Sequence, residues 1–371
     1  MFIYFQILNA IYSIVNIYLL YLISKRIFKD HKGIQKILCI LLIGFSPYFL
    51  FFNTHIYGNI PGLMFSLIAI YFTIMYLQNR KIYNIIIVGI SISGSIILKS
   101  NFEIFLCGII IILIMDLLKK IEVKKAVMVF IILGIFLFSQ FGITKLSGRI
   151  SYKKISDGVP MISYIYMGMA PSNTLSPGWY TGDVIEIYTR SNYNTEEAIK
   201  ETERLMKERI DYFKQNPKEI SKYFWDKVKS TWLNPTFQTI WIITPGSRCT
   251  DPNYAKYISE RPTIIEMTNH TSDLYKVEEE YFNIYQIIIF IFAGIALLKI
   301  RKNDNIEELL LPVIFLGGLL FHIIWETKSI YVIQYYYILL PFSAYGINLA
   351  FEYIKEKKLF DKFVKVLKEK K

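Results

Sequence analysis

Apolar residues along this 371-residue chain fall in blocks, the longer of them roughly 17–25 residues, most closed by clustered charge. Blocks of that length match the hydrocarbon thickness of a bilayer better than the length of a core helix. They cover residues 1–24, 37–53, the stretch after the turn at 55–62 up to Leu77, 85–98, 102–118, 126–143, 284–298, 309–324 and 330–353. The pattern predicts an all-α polytopic membrane protein of about nine transmembrane helices. A long polar stretch between the sixth and seventh blocks predicts a mainly helical extracytoplasmic domain. The boundaries drawn from the pattern are a six-helix membrane domain over 1–144, the soluble domain over 145–281, a three-helix membrane domain over 282–354 and a basic cytoplasmic tail over 355–371.

The polar stretch carries helix signals. Asn194 to Glu197 fits a capping box ahead of a helix with apolar Ala198, Leu205, Met206, Ile210 and Phe213. Asn216-Pro217-Lys218-Glu219 predicts a second start, with Asn as cap and Pro at the first helical position. Ile220, Tyr223, Phe224, Val228, Thr231 and Trp232 then recur at helical spacing as one packing stripe. Residues 171–182 and 244–252 are rich in Gly, Pro, Ser and Asn and read as loops.

Charge orients the array. With the N-terminus outside, the cytoplasmic loops and the C-terminal tail hold 22 Lys and Arg against 10 Asp and Glu. That excess equals the whole formal net charge of +12. Residues 145–280 hold 18 of each sign and are neutral. The opposite orientation would break the positive-inside rule. The basic balance is therefore a topology signal, with attraction to anionic lipid secondary, and leaves no basic face for nucleic acid. The first block lacks a basic n-region and a small-residue cleavage site, so it is not a cleavable signal peptide. A first helix running inward from outside leads us to expect an upstream helix and outer loop missing from this chain, or a misplaced start.

Residue-level chemistry is sparse. Cys39 and Cys107 lie in predicted spans and Cys249 in the outer domain, so no disulfide framework arises. The histidines are His31, His55, His270 and His322, without zinc spacing. No phosphate-binding glycine loop or dinucleotide fingerprint occurs. No cofactor is expected, and the pattern leaves a divalent metal open. Asn269-His270-Thr271 matches a glycosylation acceptor pattern that an Asn-rich chain produces by chance.

Three polar clusters stand at the outer ends of the spans: His55, Tyr57 and Asn59; Lys99, Asn101 and Glu103; and His322, Trp325, Glu326, Lys328, Tyr331 and Gln334. Charge near the hydrocarbon boundary is costly and usually pairs or serves a polar cavity. His55 and His322 also suit plain interfacial turns. Lys99 with Glu103 fits either an interfacial ion pair or a site. Glu326 and Lys328 point to function, because Trp, Glu, Lys and Tyr share one short turn.

These clusters resemble the C-fold (GT-C) membrane glycosyltransferases, in particular glycosyltransferase family 39, the dolichyl-phosphate-mannose-protein mannosyltransferase type in bacterial form. Tyr57-Gly58-Asn59-Ile60-Pro61-Gly62 resembles a family outer loop. Leu98-Lys99-Ser100-Asn101 resembles a later basic-polar turn. The segment from His322 through Trp325-Glu326-Thr327-Lys328-Ser329-Ile330-Tyr331, with Leu340-Pro341, resembles the family's late Glu/Lys/Arg-Tyr turn. Gly178-Trp179-Tyr180 and 232–237 resemble soluble-loop pieces. The resemblance implies transfer of a sugar from a polyprenyl-phosphate donor to a protein, lipid or glycan acceptor at the outer face. Membrane lipid would be the other partner. It makes Lys328 and Lys99 donor-phosphate ligands and places His55, Tyr57, Asn101, Glu103, His322, Tyr331 and Gln334 in the cavity lining.

The departures from that pattern are specific. The family's catalytic acid lies in a first outer loop that this chain lacks. Asn59 stands where Asp is frequent, and Ile330 replaces an Arg. Glu326 and Asn59 remain as catalytic candidates, with Glu326 also suited to orienting Lys328. The expectation is a truncated or degenerate member that is inactive alone. A polysaccharide polymerase or ligase, a transporter, and a non-catalytic lipid-linked-sugar binder stay as alternatives. No half-repeat or mid-span charge favours transport.

Overall fold

The computed structural model describes residues 2–28, 33–151, 158–172, 175–240, 256, 260–300 and 305–357. His31, Cys249, Lys29, Arg301, Lys302, all of the predicted 244–252 loop and the tail beyond Lys357 lie outside the described residues.

The architecture is all-α. In the first membrane part, α1 is Phe2–Ile27, α2 Gly33–Gly44, α3 Pro47–Phe52, α4 Asn59–Asn79, α5 Ile82–Leu98, α6 Glu103–Lys119 and α7 Val123–Ser151. The polar region holds α8 Met161–Met167, α9 Asp183–Arg190, α10 Thr195–Gln215, α11 Pro217–Trp232 and α12 Pro262–Thr268. The chain returns through α13 Asp273–Ile300, α14 Leu310–Ile324, α15 Ile333–Tyr337 and α16 Leu340–Glu356. Among the described residues, six helices are long and apolar enough to cross a membrane: Ile3–Ile27, Asn59–Asn79, Ser100–Lys119, Val123–Ser151, Asp273–Ile300 and Ile306–Ile324. Ile82–Leu98 is apolar but shorter.

Two expected spans are interrupted. The block at 37–53 breaks between α2 and α3, where Pro47 opens the second piece. Proline has no N–H to continue the ladder, and its ring clashes with the preceding turn. The block at 330–353 divides into a 3₁₀ turn at Ser329–Tyr331, then α15 and α16, with Pro341 in the first turn of α16. Its middle does not face lipid: Tyr335, Tyr336, Tyr337 and Phe342 are almost wholly buried. This last segment forms the centre of the bundle. There α16 packs on α13 and α2, while α4 packs on α1 and α5, and α6 on α14. By contrast α7 is peripheral, with only 11% of its apolar window buried and Phe130, Phe138 and Phe141 exposed. An apolar helix this open suits lipid rather than water.

The helices of the polar region are anchored to the bundle. Asn194 caps α10 by accepting from Glu196 N and Glu197 N, as the capping box predicts. Asn216 behaves differently from its expected role. α11 does begin at Pro217, yet the Asn216 side chain makes no cap bond to it and donates back to Tyr212 O, at the end of α10, at 2.9 Å. The tight join to α10 makes that carbonyl the nearer partner. Tyr48 OH donates to Pro235 O at 2.9 Å, and Gln286 Nε2 to Trp232 O and Asn234 O. These bonds fix the C-terminal end of α11 against α3 and α13.

Candidate functional site

Close packing of α4 on α5 draws the first two clusters together. A Cβ on Gly58 would fall 2.2 Å from Leu98 O, so only glycine allows the 55–59 turn to reach the end of α5. Lys99, the next residue, lies there with 9% of its surface exposed. Its Nζ donates to Asn59 Oδ1 at 2.6 Å and sits over the Tyr57 and Tyr331 rings, 4.7 and 5.1 Å from their centroids. Asn59 Nδ2 in turn donates to Gln334 Oε1 at 3.4 Å. Asn59, Tyr57, Lys99, Tyr331 and Gln334 thus form one unit. Lys99 makes no ion pair with Glu103 among the described residues. Asn59, the alternative catalytic candidate, is engaged as an acceptor for Lys99.

The third cluster forms the other wall. The turn after α14 is held by backbone bonds from Glu326 N to Tyr164 O at 3.1 Å and from Thr327 N to Gly178 O at 2.8 Å. Trp179 and Thr327 pair as an isolated parallel bridge. Trp325 stacks on Tyr164 and Phe321. Beside them opens a cavity of about 380 Å³ lined by Ser100, Asn101, Glu103, Ile104, Met161, Tyr164, Phe321, Trp325 and Glu326. Among the described residues no donor bonds to the Glu326 carboxylate, and its Oε2 is fully buried. The Lys328 ammonium lies over the Tyr180 ring at 5.3 Å rather than on Glu326. His322 is buried against Phe321 and Tyr335, and neither ring nitrogen has a partner at hydrogen-bond geometry. His55 lies half-buried beside Tyr57 and Phe52.

Burial dominates the electrostatics. It pushes the Glu326 carboxyl up to about 7, against the opposing pull of Lys328, Lys227 and Lys99. It pushes the Lys99 ammonium down to about 7, with Glu326 opposing. Lys328 is lowered for the same reasons. A carboxyl and an amine that both change charge near neutral pH, beside a cavity, form an arrangement suited to proton transfer and anion binding. Among the described residues, no group of three or more His, Cys, Asp and Glu could hold a metal ion.

Lys227, Tyr164 and Tyr180 are members of this site that the sequence clusters omit. Lys227 left a trace, since it occupies a position within the apolar stripe 220, 223, 224, 228 and 231 of α11. A lysine on a packing face is a buried charge awaiting a partner. Tyr164 left no such mark.

Residues 4–143, less than half of the chain, match the sequence model of the family described as dolichyl-phosphate-mannose-protein mannosyltransferase. Among solved structures, the apo oligosaccharyltransferase of Archaeoglobus fulgidus is similar over 97% of this chain and 41% of its own, at 11% identity and a TM-score of 0.45. The chain therefore spans about two fifths of the length of that enzyme. No curated protein matches the chain.

Proposed function

We propose that the chain is a membrane glycosyltransferase of the C-fold type, taking a sugar from a polyprenyl-phosphate carrier at the outer membrane face and passing it to a glycan, lipid or protein acceptor. One observation carries this reading. Glu326, a buried carboxylate with no hydrogen-bond donor among the described residues, lines a cavity and feels the charge of Lys99, Lys227 and Lys328. The family match over residues 4–143 supports the same class of chemistry. The charge distribution along the loops supports the N-outside orientation that puts this turn at the outer face.

In this reading Glu326 takes the proton from an acceptor hydroxyl held in the cavity. The freed oxygen attacks the anomeric carbon of the donor sugar. The bond from that carbon to the phosphate oxygen breaks, and the electron pair leaves with the polyprenyl phosphate. Lys99 and Lys328 balance the anion, which a charge-assisted hydrogen bond stabilises more than a neutral one. Asn59 and the Tyr57 and Tyr331 rings hold Lys99 in place. The stacked Trp325 and Tyr164 rings and the 100–103 turn offer apolar faces and polar edges for a sugar. Attack from the side opposite the leaving group inverts the anomeric centre.

The test is turnover of a polyprenyl-phosphate hexose by the full chain in nanodiscs, compared with Glu326→Gln. The substitution keeps size and removes the base, so turnover should fall about 100-fold or more while donor binding persists. Binding of polyprenyl phosphate without turnover in the wild-type chain would refute transfer and leave a lipid-linked-sugar binder. Equal turnover by both forms would remove Glu326 from the chemistry.

A further inference from the structure

Lys227 is a buried charge with three hydrogen-bond acceptors, and glycosyl transfer as drawn above does not use it. It lies on α11 with 1% of its surface exposed. Its Nζ donates to Gly168 O at 2.6 Å, Trp325 O at 2.8 Å and Ile323 O at 2.9 Å. Two of those carbonyls belong to the C-terminal end of α14 and the residue before Glu326, where a helix leaves carbonyls without intrahelical partners. The third belongs to the segment that follows α8. One ammonium therefore joins three stretches of chain: α11, the 161–170 segment and the catalytic turn. Gly178, at φ +72°, makes room for it, since a Cβ there would lie 2.4 Å from Lys227 Cε.

We propose that Lys227 is the positioning residue of this site: seated on three backbone carbonyls, its ammonium fixes the turn that carries Glu326 against the cavity and sets a positive charge beside that carboxylate. The proposal rests on the reading of Glu326 as the base, but its central observable does not require turnover. Burial pushes Lys227 down to about 7, and Glu326 opposes this. The three carbonyls act with Glu326, because a neutral amine has only two N–H groups to give and the cradle takes three. The charged form is the one this geometry holds.

The groups that face Glu326 come from every element around it. Lys99 follows α5, Lys227 lies on α11, and Lys328 belongs to the same turn. Tyr57, Tyr164, Tyr180 and Tyr331 feel its charge. Glu103 lines the same cavity from α6, and His322 stands one helical turn before it. The tyrosines remain neutral near pH 7, so the balance at Glu326 is struck between burial and the three lysines.

Infrared difference spectroscopy on the full chain in nanodiscs reads the protonated carboxyl band of Glu326 against pH, with Glu326→Gln identifying the band. Lys227→Met keeps the stem and removes the charge. The Glu326 midpoint should then rise by about one pH unit, and turnover of a polyprenyl-phosphate hexose at pH 7 should fall about tenfold with donor KM nearly unchanged. Lys227→Arg keeps the charge, so the midpoint should stay at the wild-type value. Its planar fork cannot bring three donors from one nitrogen, so turnover should stay low. A folded Lys227→Met with an unmoved Glu326 midpoint would overturn the proposal. So would a Lys227→Arg form that turns over like wild type, and that variant decides the matter if Lys227→Met does not fold. A shifted midpoint in a protein that transfers no sugar would leave the coupling standing and refute only the transferase reading.

Discussion

Replacing Lys99 with Met tests whether the paired turns bind a phosphate. The substitution keeps a flexible apolar stem that fits between the Tyr57 and Tyr331 rings and removes only the ammonium. In the free protein that ammonium is held by Asn59 Oδ1 at 2.6 Å and by the two ring faces, with 9% of the residue exposed. A hydrogen bond from a charged group to an anion is worth about 1.5–3 kcal/mol, which is roughly 10- to 150-fold in Kd. Affinity for polyprenyl phosphate in nanodiscs should fall by that factor. The pH dependence provides a second, sharper reading. Burial holds Lys99 down at about 7, so the binding-competent cation is present below that pH and lost as pH rises through it. Wild-type affinity should therefore weaken above pH 7. Ionisation of Glu326 would weaken binding over the same interval, so the comparison belongs in a Glu326→Gln background. There the pH dependence due to Lys99 should persist at lower pH, since Glu326 no longer helps hold the ammonium charged, and adding Lys99→Met should reduce it to the part due to Lys328. An affinity within about twofold of wild type at every pH would refute the phosphate role of Lys99.

Two further outcomes follow from contacts already described. Asn59→Asp would place a carboxylate on the Lys99 ammonium, and this internal ion pair should compete with the donor phosphate and weaken polyprenyl-phosphate binding by about tenfold, measured by titration in nanodiscs. At the other end of the bundle, Asp116 is buried, accepts two bonds from Arg80 at 2.5 and 2.8 Å, and pairs with Lys125 at 3.1 Å. Asp116→Asn should destabilise the chain by about 1–3 kcal/mol, seen as a lower Tm in detergent, with donor affinity unchanged at 25 °C; Arg80 is exposed enough to recover water, which keeps the loss at the lower end for a broken pair.

The polar clusters were legible because each sits at the end of an apolar block. What they contact was not. Lys99 stands four residues before Glu103, close enough along the chain for an ion pair, yet it turns to Asn59 across the α4–α5 contact. Glu326 and Lys328 look like partners in one turn, yet Lys328 lies on Tyr180. Thr327, between them, pairs with Trp179, which brings the 178–180 segment alongside this turn. Asn194 could be read as a cap because capping is decided within four residues. Asn216 could not, because a carbonyl of the preceding helix competes for its side chain.

By itself the sequence determined the membrane class of this protein, most of its long helices, and the turns between apolar blocks where charge collects. Those features follow from the transfer cost of side chains and from helical periodicity, both of which act locally. The tertiary structure decided where the blocks at 37–53 and 330–353 break, which cluster members meet, and that a lysine from the polar region between them bonds to the Glu326 turn. Those outcomes depend on which backbone carbonyls and ring faces come within about 3–5 Å of an ammonium. No spacing along one segment fixes that distance, because the groups that satisfy a buried charge arrive on other helices.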